Sequence, residues 1–259
     1  MAKGGRAMKT AVISGGAGGL GRAMAARLQG QGWRCYLLDI DISGLVENDL
    51  QRPLTCDLTD AAQLEATTGK ILSQSPAVDL VIYNAGITHI GPFEGLDDIT
   101  LRKLFEINFF AATNMARAFL RPVRAARGTH LAISSVAGFS PLFHRTAYAA
   151  SKHALEGFFS SLRSEEAPHG VTTVIAAPSF VATNIGNDAR QADGTARPGS
   201  ASDGIDYMSA ETAAAVILRG AARGADFVPV GRVARLGHLI HRASPRLFRH
   251  LMERKIAGQ

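Results

Sequence analysis

The chain has 259 residues, of which 46% are hydrophobic, and this is enough for one large domain with a buried core. No stretch approaches the roughly 18 consecutive apolar residues of a membrane-spanning helix, and the N-terminal segment does not resemble a targeting signal. We therefore predict a soluble, cytoplasmic protein. Cys35 and Cys56 lie in apolar stretches without metal-ligand spacing, which predicts buried, reduced thiols and no metal site.

The formal net charge of +6 is unevenly distributed along the chain. Residues 1–9 carry three basic side chains, and residues 232–259 carry seven basic side chains and one acidic one. This leaves 18 basic and 21 acidic residues in 10–231, a net charge of −3. An acidic body argues against a nucleic-acid partner. We expect three parts: a basic flexible arm at 1–9, a body at 10–231, and a basic helical C-terminal extension at 232–259.

Strands and helices alternate along the body. In chain order we predict a strand in "KTAVISGG", a helix in "LGRAMAARLQGQG", strands in "WRCYLLDI" and "PLTCDL", a helix at about 60–74, a strand in "DLVIYNAG", a helical region at about 97–126, a strand in "THLAISS", a helix at about 147–168, a strand in "VTTVIAAPS", a helix near 210–223 and a strand in "DFVPVG". Such apolar strands between helices indicate a parallel sheet covered on both faces. The segment at about 184–208 breaks the pattern and is interpreted as a long loop that is either functional or mobile.

Five glycines in "VISGGAGGLGRAMA" separate the first strand from the first helix. A helix N-terminus can bind a phosphate through its free N–H groups and its dipole. Two registers fit: Gly16, Gly18 and Gly21 satisfy G-x-G-x-x-G, whereas Gly15, Gly19 and Gly21 satisfy G-x-x-x-G-x-G. The spacing alone does not choose between them, and a flexible turn without a ligand is the alternative.

Asp39 ends the second strand, 18 residues beyond Gly21. An acidic side chain there can accept hydrogen bonds from the adenosine ribose hydroxyls of a dinucleotide. A carboxylate would repel a 2′-phosphate, and no basic residue stands beside it in "LLDIDIS". We therefore favour NAD(H) over NADP(H), the alternative being a solvated charge at a strand end.

Several motifs, in order along residues 10–231, resemble the short-chain dehydrogenase/reductase family. "SGGAGGLG" resembles T-G-x-x-x-G-x-G with serine for threonine, which selects the second glycine register. "CDLTD" resembles the segment that contacts the adenine, and "NAG" resembles the motif that steadies the sheet beneath the cofactor. The resemblance implies a single doubly wound α/β Rossmann-fold domain with a predominantly seven-stranded parallel sheet. The cofactor-binding residues that it implies are Gly15, Gly19, Leu20, Gly21, Asp39, Asp57, Leu58, Asn84, Ala85, Gly86, Tyr148, Lys152, Pro178 and Thr183.

Tyr148 and Lys152 are four residues apart in a predicted helix, so they share a face. A phenol has a pKa of roughly 10, and we predict that the neighbouring ammonium lowers the pKa of Tyr148. By the resemblance, Tyr148 is the general acid/base, Lys152 holds the nicotinamide ribose, Ser135 hydrogen-bonds the substrate oxygen and Asn108 supports a water-linked proton path. The family pattern, together with the thirteen-residue step from Ser135 to Tyr148, favours Ser135 over Ser134, and Asn108 could instead bind backbone groups.

The resemblance implies an NAD(P)-dependent oxidoreductase that interconverts a secondary alcohol and a ketone. The alternative is a non-catalytic dinucleotide-binding scaffold or redox-sensing protein. One motif departs from the family: "PSFVAT" stands where Pro-Gly-x-Val-x-Thr is common. Ser179 lacks the backbone freedom of glycine, which puts the local backbone path in doubt, although Thr183 still matches the residue that binds the nicotinamide carboxamide.

The substrate pocket is expected beyond the carboxyl ends of the strands, at 87–93, 136–144, Phe180 and the 184–208 loop. These stretches offer several apolar side chains and no paired arginines, which predicts a small apolar alcohol or ketone. The candidate pocket residues are His89, Phe139, Phe143, His144 and Phe180. For the two histidines, a solvated surface position is the alternative.

The C-terminal extension has helical spacing of apolar residues with arginines opposite. The apolar positions are Leu236, Leu239, Ile240, Ala243, Leu247, Leu251 and Met252. Ser244-Pro245 is interpreted as the cap and first residue of a second helix. Packing against this or a neighbouring subunit is favoured over weak peripheral contact with anionic lipid. The family resemblance also implies a homodimer or homotetramer, assembled through helices around 100–120 and 147–165.

Overall fold

The computed structural model describes residues 8–183, 191, 193–196 and 207–257, with side chains to 251. Most of the predicted arm and of the predicted 184–208 loop lies outside these residues. The strands are β1 (Thr10–Ser14), β2 (Arg34–Asp39), β3 (Gln51–Thr55), β4 (Leu80–Tyr83), β5 (Thr88–His89), β6 (Thr129–Ile133), β7 (Thr172–Pro178), β8 (Val181–Ala182), β9 (Thr195–Ala196), β10 (Met208–Ser209) and β11 (Phe227–Val230). The helices are α1 (Gly19–Gln29), α2 (Ala61–Gln74), α3 (Asp98–Phe105), α4 (Ala111–Ala126), α5 (Thr146–Glu166), α6 (Ala210–Ala222), α7 (Arg232–Ala243) and α8 (Pro245–Ala257).

Seven parallel strands form the central sheet in the order β11-β7-β6-β4-β1-β2-β3. Ile13 of β1 lies opposite Leu37 of β2, and Val12 lies opposite Val81 of β4. The predicted seven-stranded doubly wound α/β fold is confirmed. The strand order reverses between β1 and β4, which is the place where such sheets bind their ligands.

Alternate residues of each strand face opposite layers, because side chains in a strand have a period of two. Ala11 and Ile13 pack with α1 and α6 on one face, whereas Val12 packs with α2, α4 and α5 on the other. All three are fully buried. Both faces of the sheet are therefore covered, which explains why its strands read as continuous apolar runs.

The helical region predicted at about 97–126 consists of two helices joined by a π-helical turn at Glu106–Phe110. Asp97 caps α3 by accepting from the Thr100 N–H at 2.6 Å. The π turn fits one extra residue into the helix, a device that often occurs at functional sites. The side chain of Asn108, in this turn, reaches the backbone of Ile87 after the end of β4.

The C-terminal extension forms two helices, as predicted, and Ser244 caps the second by accepting from the Leu247 N–H at 3.2 Å. The leucines of the predicted apolar stripe on α7 do not pack against the body, however. Leu236 and Leu239 are 61% and 66% exposed, and packing within this subunit uses the opposite face of α7, with Ala234 fully buried. Among the described residues, no helix is both long and apolar enough to cross a membrane.

Candidate active site

A cleft of about 370 Å³ opens at the carboxyl ends of β1, β4 and β6. Its position matches the reversal of strand order. The sequence-predicted residues that line it are Gly15, Gly19, Leu20, Asp39, Asp57, Leu58, Asn84, Ala85, Gly86, Ser135, Tyr148, Lys152, Pro178 and Thr183. Of the predicted catalytic and cofactor-binding residues, two lie outside the lining: Gly21 packs against the glycine turn, and Asn108 is buried behind Gly86.

The glycine turn is held in place by the serine that replaces the family's threonine. Ser14 Oγ accepts from the N–H groups of Asn84 at 2.9 Å and Ala85 at 3.1 Å, and donates to the Ile82 carbonyl at 3.3 Å. Gly15 follows with φ +62°, a left-handed conformation that favours glycine. The turn is thereby fixed to the end of β4.

The N-terminus of α1 faces the cleft without a capping side chain. Its N-cap is Gly18, and its first turn contains no acidic residue. A Cβ on Gly19 would lie 2.5 Å from the Thr183 carbonyl oxygen, so only glycine lets these two backbones approach. Free N–H groups at a helix start, in a cleft bordered by glycine, fit the phosphates of a dinucleotide.

Asp39 contacts the glycine turn rather than pointing freely into solvent. One carboxylate oxygen accepts from the Ala17 N–H at 3.0 Å, and the other accepts from the Ile40 N–H at 2.9 Å. A basic group lies on the other side of Ala17, because Arg22 Nε donates to the Ala17 carbonyl at 2.7 Å. Sequence adjacency could not reveal this arginine, which comes from the first helix.

Tyr148 is 8% exposed and hydrogen-bonds Ser135. Burial raises the pKa of the phenol above its ordinary value, while the Ser135 hydrogen bond and the charge of Arg145 partly oppose the rise. The prediction that Lys152 lowers the pKa of Tyr148 is therefore wrong for this arrangement. The lysine nitrogen lies 5.8 Å from the centroid of the Tyr148 ring. The cost of desolvating a phenolate outweighs the attraction of a positive charge at that distance.

Lys152 is 4% exposed, and its Nζ donates to the Ile133 carbonyl at 3.0 Å. Burial lowers the pKa of this lysine to about 8, and the negative charge of Glu156 opposes the drop. Glu156 stands one helical turn after Lys152 and accepts from Ser134 Oγ at 2.6 Å. The two neighbouring serines thus have different hydrogen-bond partners: Ser135 bonds Tyr148, and Ser134 bonds Glu156.

Asn108 fixes the backbone that follows the "NAG" motif. Its Oδ1 accepts from the Ile87 N–H at 2.8 Å, and its Nδ2 donates to the Ile87 carbonyl and to Ser151 Oγ, both at 2.9 Å. A Cβ on Gly86 would lie 3.1 Å from Asn108 Oδ1 and 3.5 Å from Lys152 Nζ. Asn108 therefore binds backbone groups, as the alternative interpretation predicted. A role of Asn108 in a proton path stays a prediction.

Ser179 occupies the family's glycine position without a left-handed backbone, since its φ is not positive. Its N–H and its hydroxyl both donate to the Val230 carbonyl, at 3.0 and 3.1 Å. The serine therefore ties the end of β7 to β11. Pro178 and Thr183, on either side of it, still reach the cleft.

None of the five predicted substrate residues lies among the described residues that line the cleft. His89 is buried in β5, Phe180 contacts Tyr207, and Phe143 stacks on His144 with ring centroids 3.7 Å apart. Phe139 packs toward α7, 5.2 Å from the His238 ring centroid. Contact of these residues with substrate stays a prediction.

Sequence reasoning missed three side chains around the site: Arg22, Ser151 and Glu156. Glu156 could have been found as the next position on the Tyr148–Lys152 face, since residues four apart share a face. The others depend on tertiary contacts that spacing does not carry.

Comparisons with known proteins agree with this geometry. The family model for short chain dehydrogenases matches residues 9–194. Dehydrogenase/reductase SDR family member 7B from Mus musculus is 32% identical over 197 residues, 71% of this chain and 61% of that protein. Retinol dehydrogenase 8 from Bos taurus is 30% identical over 78% of this chain and 69% of its own length. The matched region thus spans only about three fifths of the length of the mouse relative.

Solved structures carry the same fold. A short-chain dehydrogenase from Burkholderia cenocepacia in complex with NADP superposes with a TM-score of 0.83 at 22% identity, over 95% of this chain and 97% of that one. A metagenomic short-chain oxidoreductase, also in complex with NADP, has a TM-score of 0.62 at 30% identity, over 66% of this chain and 81% of that one. With its central cleft, its seven-stranded sheet and the match over residues 9–194, the chain belongs to the short-chain dehydrogenase/reductase family.

Proposed function

We propose that the chain interconverts a secondary alcohol and a ketone on an apolar substrate, with NAD(P) as the hydride partner and Tyr148 as the general acid/base. The observation that carries the proposal is the grouping of Ser135, Tyr148 and Lys152 in the same cleft as the uncapped start of α1. Such a cleft joins a phosphate site to a proton donor, and a redox reaction at a carbonyl needs both.

The described residues fit a dinucleotide in three places. The start of α1 would bind the diphosphate, Asp39 would bind the adenosine ribose, and Asp57 with Leu58 would border the adenine. Lys152 would hold the second ribose and Thr183 the carboxamide. When bound, the cofactor supplies or accepts the hydride.

The protein's own contribution is to position the substrate oxygen and to move a proton. Ser135 donates to that oxygen, and Tyr148 exchanges a proton with it. Because burial raises the pKa of Tyr148, the phenol is protonated at neutral pH in the described arrangement. When a ketone is reduced, its carbonyl carbon would accept the hydride and its oxygen would accept the Tyr148 proton. Oxidation of the alcohol would reverse both transfers.

The preference between NAD and NADP depends on two opposed side chains. The Asp39 carboxylate supports NAD, because it repels a 2′-phosphate. Arg22 lies on the other side of Ala17 and supplies a cation for that phosphate, and a similar protein at 30% identity is known with NADP. Our proposal is that the chain accepts both cofactors, with Asp39 biasing it toward NAD.

The apolar substrate class is supported by the walls of the cleft. Ile87, Ile107, Ala111 and Val181 line it beside the proposed catalytic residues. A relative is named a retinol dehydrogenase, and retinol is an apolar alcohol. Within the described lining, charged side chains are limited to Asp39, Asp57 and Lys152, all of which are assigned to the cofactor.

Self-association is part of the proposal, through the face formed by α5, α4 and the π-helical turn that precedes α4. Phe110 is 44% exposed beside an aromatic cluster in which the ring centroids of Phe109 and Phe158 are 6.2 Å apart. Exposed aromatic groups on paired helices favour an interface. Light scattering of wild type and Phe110→Glu tests it, and an unchanged mass would contradict this face.

The function itself is tested by absorbance at 340 nm with a panel of apolar secondary alcohols and ketones, each with NAD(H) and NADP(H). Turnover on an apolar member supports the proposal. Tight dinucleotide binding without turnover on any member would favour the non-catalytic scaffold.

A further inference from the structure

The outward face of α7 carries apolar side chains that are exposed to solvent and do not pack within the subunit. Leu236 and Leu239 are 61% and 66% exposed. The inward face is occupied instead by Ala234, which is fully buried, and by His238, whose ring stacks on Phe227 with centroids 4.5 Å apart. These two leucines therefore contribute little to packing within the subunit.

The following helix repeats this arrangement. Phe248 is 6% exposed and faces inward, with its ring centroid 5.5 Å from that of His241. Leu247 and Leu251 are 50% and 45% exposed. Single exposed leucines are common on soluble proteins, but four on two consecutive helices indicate an interaction surface.

Arginines accompany the leucines on the same face. Arg235 and Arg242 stand four residues before and three residues after Leu239, so all three project from one side of α7, and both arginines are exposed. Arg246 is likewise exposed on α8. Over residues 232–259 the sequence has seven basic side chains and one acidic one, whereas residues 10–231 carry a net charge of −3.

We propose that α7 and α8 form a peripheral docking surface for an anionic phospholipid bilayer. Leucines on a helix lying in the interface enter the boundary of the acyl chains, while arginines beside them contact the lipid phosphates. A second copy fits less well, because a two-fold contact through this face would set arginines against arginines. A nucleic acid would use the arginines and leave the leucines in water.

Docking through this surface would orient the cleft. The inward face of α7 packs on the turn that follows Ser135, where Val136, Phe139 and Ala234 share one buried cluster. One wall of the cleft is therefore joined directly to the helix that would lie on the lipid. Vesicle binding is measured without substrate, so this surface is tested independently of the proposed reaction.

The experiment is co-sedimentation of the full chain with vesicles of phosphatidylcholine alone or mixed with phosphatidylglycerol, at low and high salt. The variants are L236Q/L239Q and R235Q/R242Q. The matched controls are I99Q/V46Q, which removes two apolar side chains that are 80% and 74% exposed, and R27Q/R121Q, which removes two exposed positive charges elsewhere. Thermal melts verify that each variant is folded.

We expect wild type and both controls to bind the anionic vesicles and to be released by salt. R235Q/R242Q is expected to bind roughly 30-fold more weakly, at about fivefold per basic residue, and L236Q/L239Q at least as weakly. Equal binding to both vesicle types, no binding to anionic vesicles, or equal losses in the control pairs would overturn the proposal. A change of oligomeric mass in L236Q/L239Q with unchanged vesicle binding would identify a second copy as the occupant and would overturn it as well.

Discussion

The Ser134 hydroxyl donates a 2.6 Å hydrogen bond to Glu156, and this contact holds a carboxylate one helical turn behind Lys152. A Cβ on Gly138 would lie within 2.2 Å of both partners, so the pair is tightly enclosed. The negative charge of Glu156 raises the pKa of Lys152 against the effect of burial, and the balance is a pKa of about 8. Glu156 thus acts through Lys152, by helping the buried lysine to keep its proton.

Glu156→Gln is expected to lower the pKa of Lys152 further, because burial then acts without an opposing charge. The lysine would lose its proton at a lower pH, and the apparent pKa that Lys152 contributes to the pH profile of turnover would fall. The measurement is kcat/KM against pH with a fixed cofactor. Glu165→Gln, an exposed change on the same helix, is the control, and an unmoved profile in Glu156→Gln would contradict the role.

Asp39→Asn is expected to raise the affinity for NADPH relative to NADH by roughly tenfold, because the repulsion of a 2′-phosphate is removed. The amide oxygen retains an acceptor for the Ala17 N–H, so the turn should keep its shape. Binding is followed by the fluorescence of the reduced cofactor.

Arg22→Gln is expected to do the reverse and to weaken NADPH more than NADH. Arg27→Gln, an exposed arginine on the same helix, serves as the control. A ratio of affinities that stays constant in both Asp39→Asn and Arg22→Gln would contradict the assignment of these side chains to cofactor choice.

His130 is expected to make stability depend on pH below about 6.5. The ring is fully buried; Tyr83 Oη lies 2.6 Å from its Nδ1, and its Nε2 has no hydrogen-bond partner. Burial lowers the pKa of His130 to about 4, with the charge of Arg124 lowering it further and that of Glu166 opposing the drop. The folded protein therefore keeps the ring neutral down to about pH 4.

The unfolded chain binds a proton to His130 near pH 6.5, so between pH 6.5 and 4 it holds more protons than the folded state. The free energy of unfolding should thus fall by about 3 kcal/mol as the pH drops through this window. Above pH 6.5 the ring is neutral in both states, and His130 no longer makes stability depend on pH. Urea denaturation of wild type and His130→Gln at a series of pH values isolates the effect. Parallel curves for the two proteins would contradict it.

The sheet was predictable because its strands are continuous apolar runs, and the cleft was predictable because its motifs follow those strands. It was harder to predict which face of a helix is buried and how strongly burial changes the pKa of a side chain. Helical spacing identified the leucines of α7 as one face but could not tell that Ala234, not Leu236, lies against the body. The spacing of Tyr148 and Lys152 likewise carried no information about burial, which is the dominant influence on the pKa of both groups.

The central claim is that Tyr148 transfers the proton in a reaction of NAD(P). Its most direct test is steady-state turnover of Tyr148→Phe on the best ketone of the panel, with cofactor binding measured in parallel. Tyr36→Phe, the same chemical change at a buried tyrosine outside the cleft, is the control. We predict that Tyr148→Phe lowers kcat by about 10²–10⁴-fold with a cofactor affinity close to that of wild type. Undiminished turnover in Tyr148→Phe would contradict the account.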